Sequence, residues 1–355
     1  MLLFQCDNCG HILFFENSRC HQCDAQQGIL IRGTTFASRA SREDRWLDPN
    51  SGAATWTRCA NADLIGCNWL VDESDGVPHC AACRLNRTIP PLDTPEYLER
   101  WKALEAGKRR VLYSLYRLGI PPIDRNANAE LGLCFDFLAS SPDGSEIPLT
   151  GHSDGVITIN IGEADPAQCE AMREEMNESY RTVIGHFRHE FGHHYWDRLA
   201  KSQPTFVDGF RSVFGDERRD YAEALRRHHE SGPPEDWAAR HVSAYASSHP
   251  WEDWAECWAH YLHILDTTET AHAFGLQFQS QLAFDPELAL SPPSDPYEST
   301  DFEATLQAGS RLSIALNSFN RGMGHNDFYP FAPAEPVLEK IAWVHRQIRA
   351  LRDVE

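Results

Sequence analysis

Apolar residues recur at helical spacing in several stretches of the chain, and one short run alternates instead. From Thr94, the positions Leu98, Trp101, Leu104, Val111, Leu112, Leu115 and Leu118 predict a helix with Thr94 as N-cap, Pro95 in its first turn, and Gly119 and Pro121-Pro122 as terminators. Gly155 to Ile161 alternates β-branched with small or polar residues and reads as a strand. A helical stretch follows from about Pro166 to Ala200, although Gly185 and Gly192 each cost roughly 1 kcal/mol of helix propensity, which suggests two helices. Residues 201–236 are polar and mixed, with a turn at Ser231-Gly232-Pro233-Pro234. Trp251 to Leu265 is helical again, Leu282 to Asp301 is a proline-rich loop, and residues 335–353 form a last amphipathic helix.

Residues 1–90 lack long periodic segments and are rich in cysteine, as in a module folded by metal rather than by a large core. The division expected is a tandem zinc-ribbon module over 1–90, a helical connector over 91–125 and a catalytic domain over 126–355. Eight of the eleven cysteines precede residue 84. Cys6-x2-Cys9 and Cys20-x2-Cys23, ten residues apart, have the paired knuckle spacing of a closed, structural zinc site made of four cysteines. Cys59, Cys67, Cys80 and Cys83 have a looser first half and make a second four-cysteine site, with His79 an alternative ligand. A thioredoxin-like C-x-x-C would want a βαβ context that is absent. Cys134, Cys169 and Cys257 read as isolated thiols.

The chain starts without a basic or long apolar leader and has no membrane-length segment, so a reducing, cytoplasmic setting is expected. A formal charge of -20 repels phosphate backbones. Arg39, Arg42 and Arg45 with Lys108-Arg109-Arg110 are too sparse to offset it, so no nucleic-acid partner is expected.

The chemistry centres on His189-Glu190-Phe191-Gly192-His193. Two histidines four residues apart share one helix face and bind one zinc ion, while Glu190 faces the open position as general base for an activated water. The rival is a chance match in a segment that also holds His186 and His194. Such a zinc needs a third protein ligand. Glu252 and Glu256 are four apart on one face of a helix kept apolar by Trp251, Trp254, Trp258 and Tyr261, so one can bind zinc while the other orients an imidazole. Spacing alone does not choose between them. His325, Asp327 and Tyr329 are further candidates for the cleft, though a turn is the simpler reading.

His189 to His193 with Asp197, Tyr245 seven residues before Glu252, and Glu252-x-x-Ala255-Glu256 resemble the catalytic domain of anthrax lethal factor and related gluzincins over residues 180–266. The resemblance implies Glu252 as third zinc ligand, Glu256 as the carboxylate behind a ligating imidazole, and Tyr245 as the donor that stabilises the oxyanion. It also implies that the strand at 155–161 is an edge strand that pairs with an extended peptide. The whole chain resembles bacterial zinc-binding metallopeptidases with an N-terminal zinc ribbon, whose substrates are unassigned. It departs from lethal factor in its ribbons and in a longer insertion between His193 and Tyr245.

These readings combine into an α+β, zincin-like peptidase behind zinc ribbons. It would hold one catalytic zinc and one or two structural ones, act on a peptide or protein, and use the ribbons to meet a protein partner. Two rivals are a catalytically silent zinc-binding adaptor and a zinc-ribbon nucleic-acid binder. Intact Glu190 and Tyr245 count against the first, and net charge against the second.

Overall fold

The computed structural model describes residues 1–31, 35–39, 46–47, 54–141, 147–175, 182–279 and 288–353. Arg42 and Arg45, Pro286 and the middle of the expected 166–200 helical stretch (176–181) lie outside them. The fold is mixed α and β, in two compact units, Met1–Met176 and Asn177–Glu355.

The first unit opens with the short hairpin β1 (Phe4–Gln5) and β2 (Ile12–Leu13), followed by β3 (Gln26–Leu30) paired with β4 (Thr35–Arg39). Next come β5 (Trp46–Leu47), β6 (Ala54–Arg58), the short helix α1 (Ala62–Ile65) and β7 (Leu70–Asp72), with the three strands in one antiparallel sheet. After β8 (Asn86–Thr88), helix α2 runs Pro95–Arg117 as the apolar spacing predicts. Thr94 precedes it in an extended conformation, but its side chain makes no capping hydrogen bond. Phe15 meets Tyr113 edge-on at 5.3 Å and Trp69 meets Tyr116 at 6.1 Å, so the ribbon region is packed on this helix.

Strands β9 (Cys134–Leu138), β10 (Gly151–Ser153) and β11 (Val156–Asn160) join β8 in a sheet of order β10-β11-β9-β8. The strand expected at an edge is therefore interior. β11 pairs parallel with β9 and antiparallel with β10, which leaves β10 and β8 at the edges. The reason is the apolar run Cys134-Phe135-Asp136-Phe137-Leu138, whose strand takes one side of β11 while the turn at Asp154-Gly155 folds β10 onto the other. Lys108 of α2 is wholly buried over Phe135 and Phe137, paired with Glu105 at 2.7 Å. Helix α3 spans Pro166–Glu175.

The second unit is helical: α4 (Val183–Ser202), α5 (Phe206–Phe214), α6 (Tyr221–Ser231), α7 (Pro250–Ala273), α8 (Phe302–Gly322) and α9 (Glu335–Arg352). α7 is its axis, with α4, α5, α8 and α9 all packed on it. That position explains why α7 is buried nearly all round: Trp254, Trp258, Leu262 and Leu265 are fully buried, and its polar residues Glu252, Asp253 and His260 are buried as well. Phe206, Phe210 and Phe214 of α5 close one side against Trp254 and Trp343. Among the described residues, no helix is long and apolar enough to cross a membrane.

Candidate functional site

Thr182 starts α4 by accepting a hydrogen bond from Gly185 N at 3.0 Å, so this glycine belongs to the cap rather than to a break. α7 starts with a histidine cap. His249 Nδ1 accepts from Trp251 N at 3.1 Å, Nε2 donates to the Arg219 carbonyl at 3.2 Å, and Pro250 takes the first helical position. Burial lowers the pKa of His249 and keeps the ring in the neutral form this cap needs.

The two helices cross at Gly192. A Cβ there would stand 2.9 Å from Ala255 Cα and 3.2 Å from Trp258 Cβ, closer than side chains tolerate. Trp254 Nε1 donates to the Gly192 carbonyl at 2.8 Å, and Tyr195 stacks on Trp258 at 4.8 Å. This close approach brings the first turn of α7 against the histidine face of α4.

There His189 Nε2 and His193 Nε2 are 3.1 Å apart, and Glu252 Oε2 lies 2.9 Å from the former and 3.5 Å from the latter. A tetrahedral zinc with arms of about 2.0–2.1 Å separates its nitrogen and oxygen ligands by about 3.3 Å, so the triangle fits. Glu252 Oε2 is buried and accepts no hydrogen bond, an expensive state for an anionic oxygen unless a cation meets it. Glu256 Oε1 meets His189 Nδ1 at 2.7 Å, and its Oε2 accepts from Ser243 Oγ at 2.7 Å. Burial disfavours charge on His189, yet the carboxylates of Glu252 and Glu256 outweigh it and hold its pKa well above the ordinary imidazole value. That field favours any cation.

Glu190 is buried, with an Oε2 that accepts no hydrogen bond. The Tyr245 ring lies 6.0 Å from that of His189 and has His228 edge-on at 6.0 Å on another side. Burial first, then the charge of Glu252, the neighbouring Tyr221 and the charge of Glu190 push the Tyr245 pKa well up, so its phenol remains a donor. His189, Glu190, His193, Tyr245, Glu252 and Glu256 thus gather here, and the candidates of the tail do not. Arg321 pairs with Asp327 at 2.6 Å, His325 lies in the turn, and Tyr329 is buried with its hydroxyl against His260 Nδ1.

Two partners escaped the sequence reading. Tyr221 OH donates to Glu252 Oε1 at 2.7 Å, and Ser243 holds Glu256. Asp220-x-x-Glu223, a capping pattern, marks the start of α6: Asp220 Oδ1 accepts from Glu223 N at 2.9 Å. Nothing comparable marks Ser243.

In the first unit, Cys6, Cys9, Cys20 and Cys23 converge, as do Cys59, Cys67, Cys80 and Cys83, each set with its sulfurs within 4.8 Å of one another. Neither set is disulfide-bonded. Separations such as Cys6 to Cys23 at 3.7 Å, Cys9 to Cys20 at 3.6 Å and Cys67 to Cys80 at 3.6 Å match the edge of about 3.8 Å for a tetrahedron with zinc–sulfur arms of about 2.3 Å. Gly10 and Asp24, which follow the two C-x-x-C pairs, take the left-handed backbone at φ 73° and 58° that turns each knuckle. His79 is not among the second set.

Residues 97–347 match the family described as "Putative zinc-binding metallo-peptidase", and residues 3–94 match a zinc-ribbon domain. Proteins of Mycobacterium bovis and Mycobacterium tuberculosis, described only as uncharacterized, are 39% identical over 342 residues, covering 96% of this chain and 94% of theirs. No solved structure matches the chain significantly.

Proposed function

Since the chain belongs to this zinc-binding metallo-peptidase family, with a zinc-ribbon domain ahead of the peptidase region, we propose that it hydrolyses peptide bonds at the His189–His193–Glu252 centre. The observation that carries the reading is the buried Glu252 Oε2, which converges with two imidazole nitrogens and accepts no hydrogen bond. His189, His193 and Glu252 hold the zinc. A zinc ion held there supplies a Lewis acid that polarises a carbonyl and lowers the pKa of a water to about 7.

The chain's own groups do the rest. Glu190 takes the proton of the attacking water and passes it to the leaving amine. Tyr245 donates a hydrogen bond to the oxygen on which negative charge grows, a donor fixed in place before reaction. Glu256, braced by Ser243, fixes the His189 ring with Nε2 toward Glu252 and His193, as a ligating imidazole would need. The two cysteine quartets hold structural zinc, and the ribbon module serves to engage a protein partner.

Zinc analysis of purified protein, combined with cleavage of a peptide library, tests this reading. Wild type carries three zinc ions and cleaves, and Glu252→Ala loses one ion. Glu190→Gln keeps all three and falls by about 10²–10⁴-fold in rate. Cleavage by Glu190→Gln at the wild-type rate overturns the assignment of the base. Wild type with full zinc and no cleavage moves the silent adaptor ahead.

A further inference from the structure

The two oxygens of Glu252 live in different surroundings. Oε2 faces the histidine nitrogens at 2.9 and 3.5 Å, whereas Oε1 is taken by the Tyr221 hydroxyl at 2.7 Å. Tyr221 comes from α6, outside both ligand-bearing helices, and is held by what it packs on. Its ring stands edge-on to His249 at 5.2 Å, tilted over Trp251 at 5.9 Å. His249 is the N-cap of α7 and is tied back by its Nε2 to the carbonyl of Arg219, two residues before Tyr221. Asp220 caps α6 at the residue just before it. The hydroxyl is thus aimed by a closed loop of contacts that includes the helix carrying its acceptor.

We propose that Tyr221 is a positioning residue that reserves Glu252 Oε1 and so makes Glu252 a one-oxygen ligand, keeping the fourth metal position open for water and substrate. The proposal rests on the reading of Glu252 as a metal ligand. Its logic is that a carboxylate with both oxygens free can bind through both, raising the coordination number and competing for the open position, whereas a charge-assisted hydrogen bond keeps one oxygen away.

The test uses the full chain with zinc retained in its cysteine sites. The third site is emptied with a weak chelator and refilled with Co²⁺, the absence of thiolate-to-cobalt charge transfer showing that the cysteine sites stayed closed. Tyr221→Phe keeps the ring on His249 and removes only the hydroxyl. The expected result is a weaker cobalt visible band, as four-coordinate geometry gives way to five, and zinc affinity at this site reduced by about 10–100-fold. An unchanged spectrum and affinity in Tyr221→Phe, with Glu252→Ala still losing the metal, overturns the role of Tyr221 and leaves the ligand assignment standing. Glu252→Ala that binds Co²⁺ with the wild-type spectrum overturns both.

Discussion

Gly192 and Ala255 meet backbone to backbone, the Cα of one residue lying 2.9 Å from where a side chain on the other would begin. Gly192 is one of the two variable positions of the H-E-x-x-H motif, and Ala255 stands between Glu252 and Glu256. Both motifs therefore carry a small residue where the helices cross, and the crossing sets the triangle of His189, His193 and Glu252.

Gly192→Ala gains about 1 kcal/mol of helix propensity but drives a methyl into Ala255 and Trp258, and overpacking of this kind costs about 1–3 kcal/mol. The expected outcome is a lower melting temperature, with zinc lost from the His189–His193–Glu252 centre before the cysteine sites. Zinc stoichiometry after dialysis against a mild chelator measures it. A variant with wild-type stability and zinc content would show that the helices separate freely.

Glu256→Gln leaves the ligand set intact but removes the anion at His189 Nδ1, and is expected to weaken zinc binding at that centre by about 10–100-fold. Ser243→Ala, one bond further out, has a smaller effect in the same direction. Competition with a chromophoric zinc chelator ranks the two.

His260 is fully buried in α7, and burial pushes its pKa down to about 4 from an ordinary 6.5. The folded state keeps this ring neutral while the unfolded chain protonates it. Stability is therefore complete above pH 6.5 and declines as pH falls toward 4, by about 2 kcal/mol at pH 5 from this group alone. Urea unfolding at pH 7 and pH 5 measures the loss, and His260→Gln flattens the slope by one proton.

Arg109 of α2 is buried near Cys67, Cys80 and Cys83; its Nη1 makes no hydrogen bond and lies 3.9 Å from the buried carboxylate of Glu105. Four thiolates around a zinc ion would carry two net negative charges, which this guanidinium, while also in contact with Glu105, would meet in a dry setting. Arg109→Met is expected to lower zinc affinity of the Cys59–Cys83 site by at least about tenfold while leaving the Cys6–Cys23 site unchanged. Stepwise zinc release to a chelator separates the two.

Much of this arrangement was legible in the chain because its signals are local. The His189–His193 spacing, the Trp-rich turn pattern of α7 and the α2 periodicity each need only one helix to be read. Tyr221 and Ser243 were hidden because their roles arise from contacts 31 and 13 residues away along the chain. α5 was passed over although Phe206, Phe210 and Phe214 recur every four residues, since the surrounding polarity diluted the pattern. The place of β11 within its sheet depended on a partner strand that its own alternation cannot reveal.

The aromatic packing around α7 has an optical consequence. Trp254 lies 5.8 Å from Trp258 and 5.7 Å from Trp343, and Trp196 lies 5.5 Å from Trp251, all between ring centroids. Indoles this close and this fixed couple their electronic transitions, so near-ultraviolet circular dichroism carries a signature of the helix crossing itself. Because Trp254 also bonds the Gly192 carbonyl, the protein holds a built-in chromophore at the joint that aligns His189 and His193 with Glu252, and any loosening of that joint becomes visible without a label.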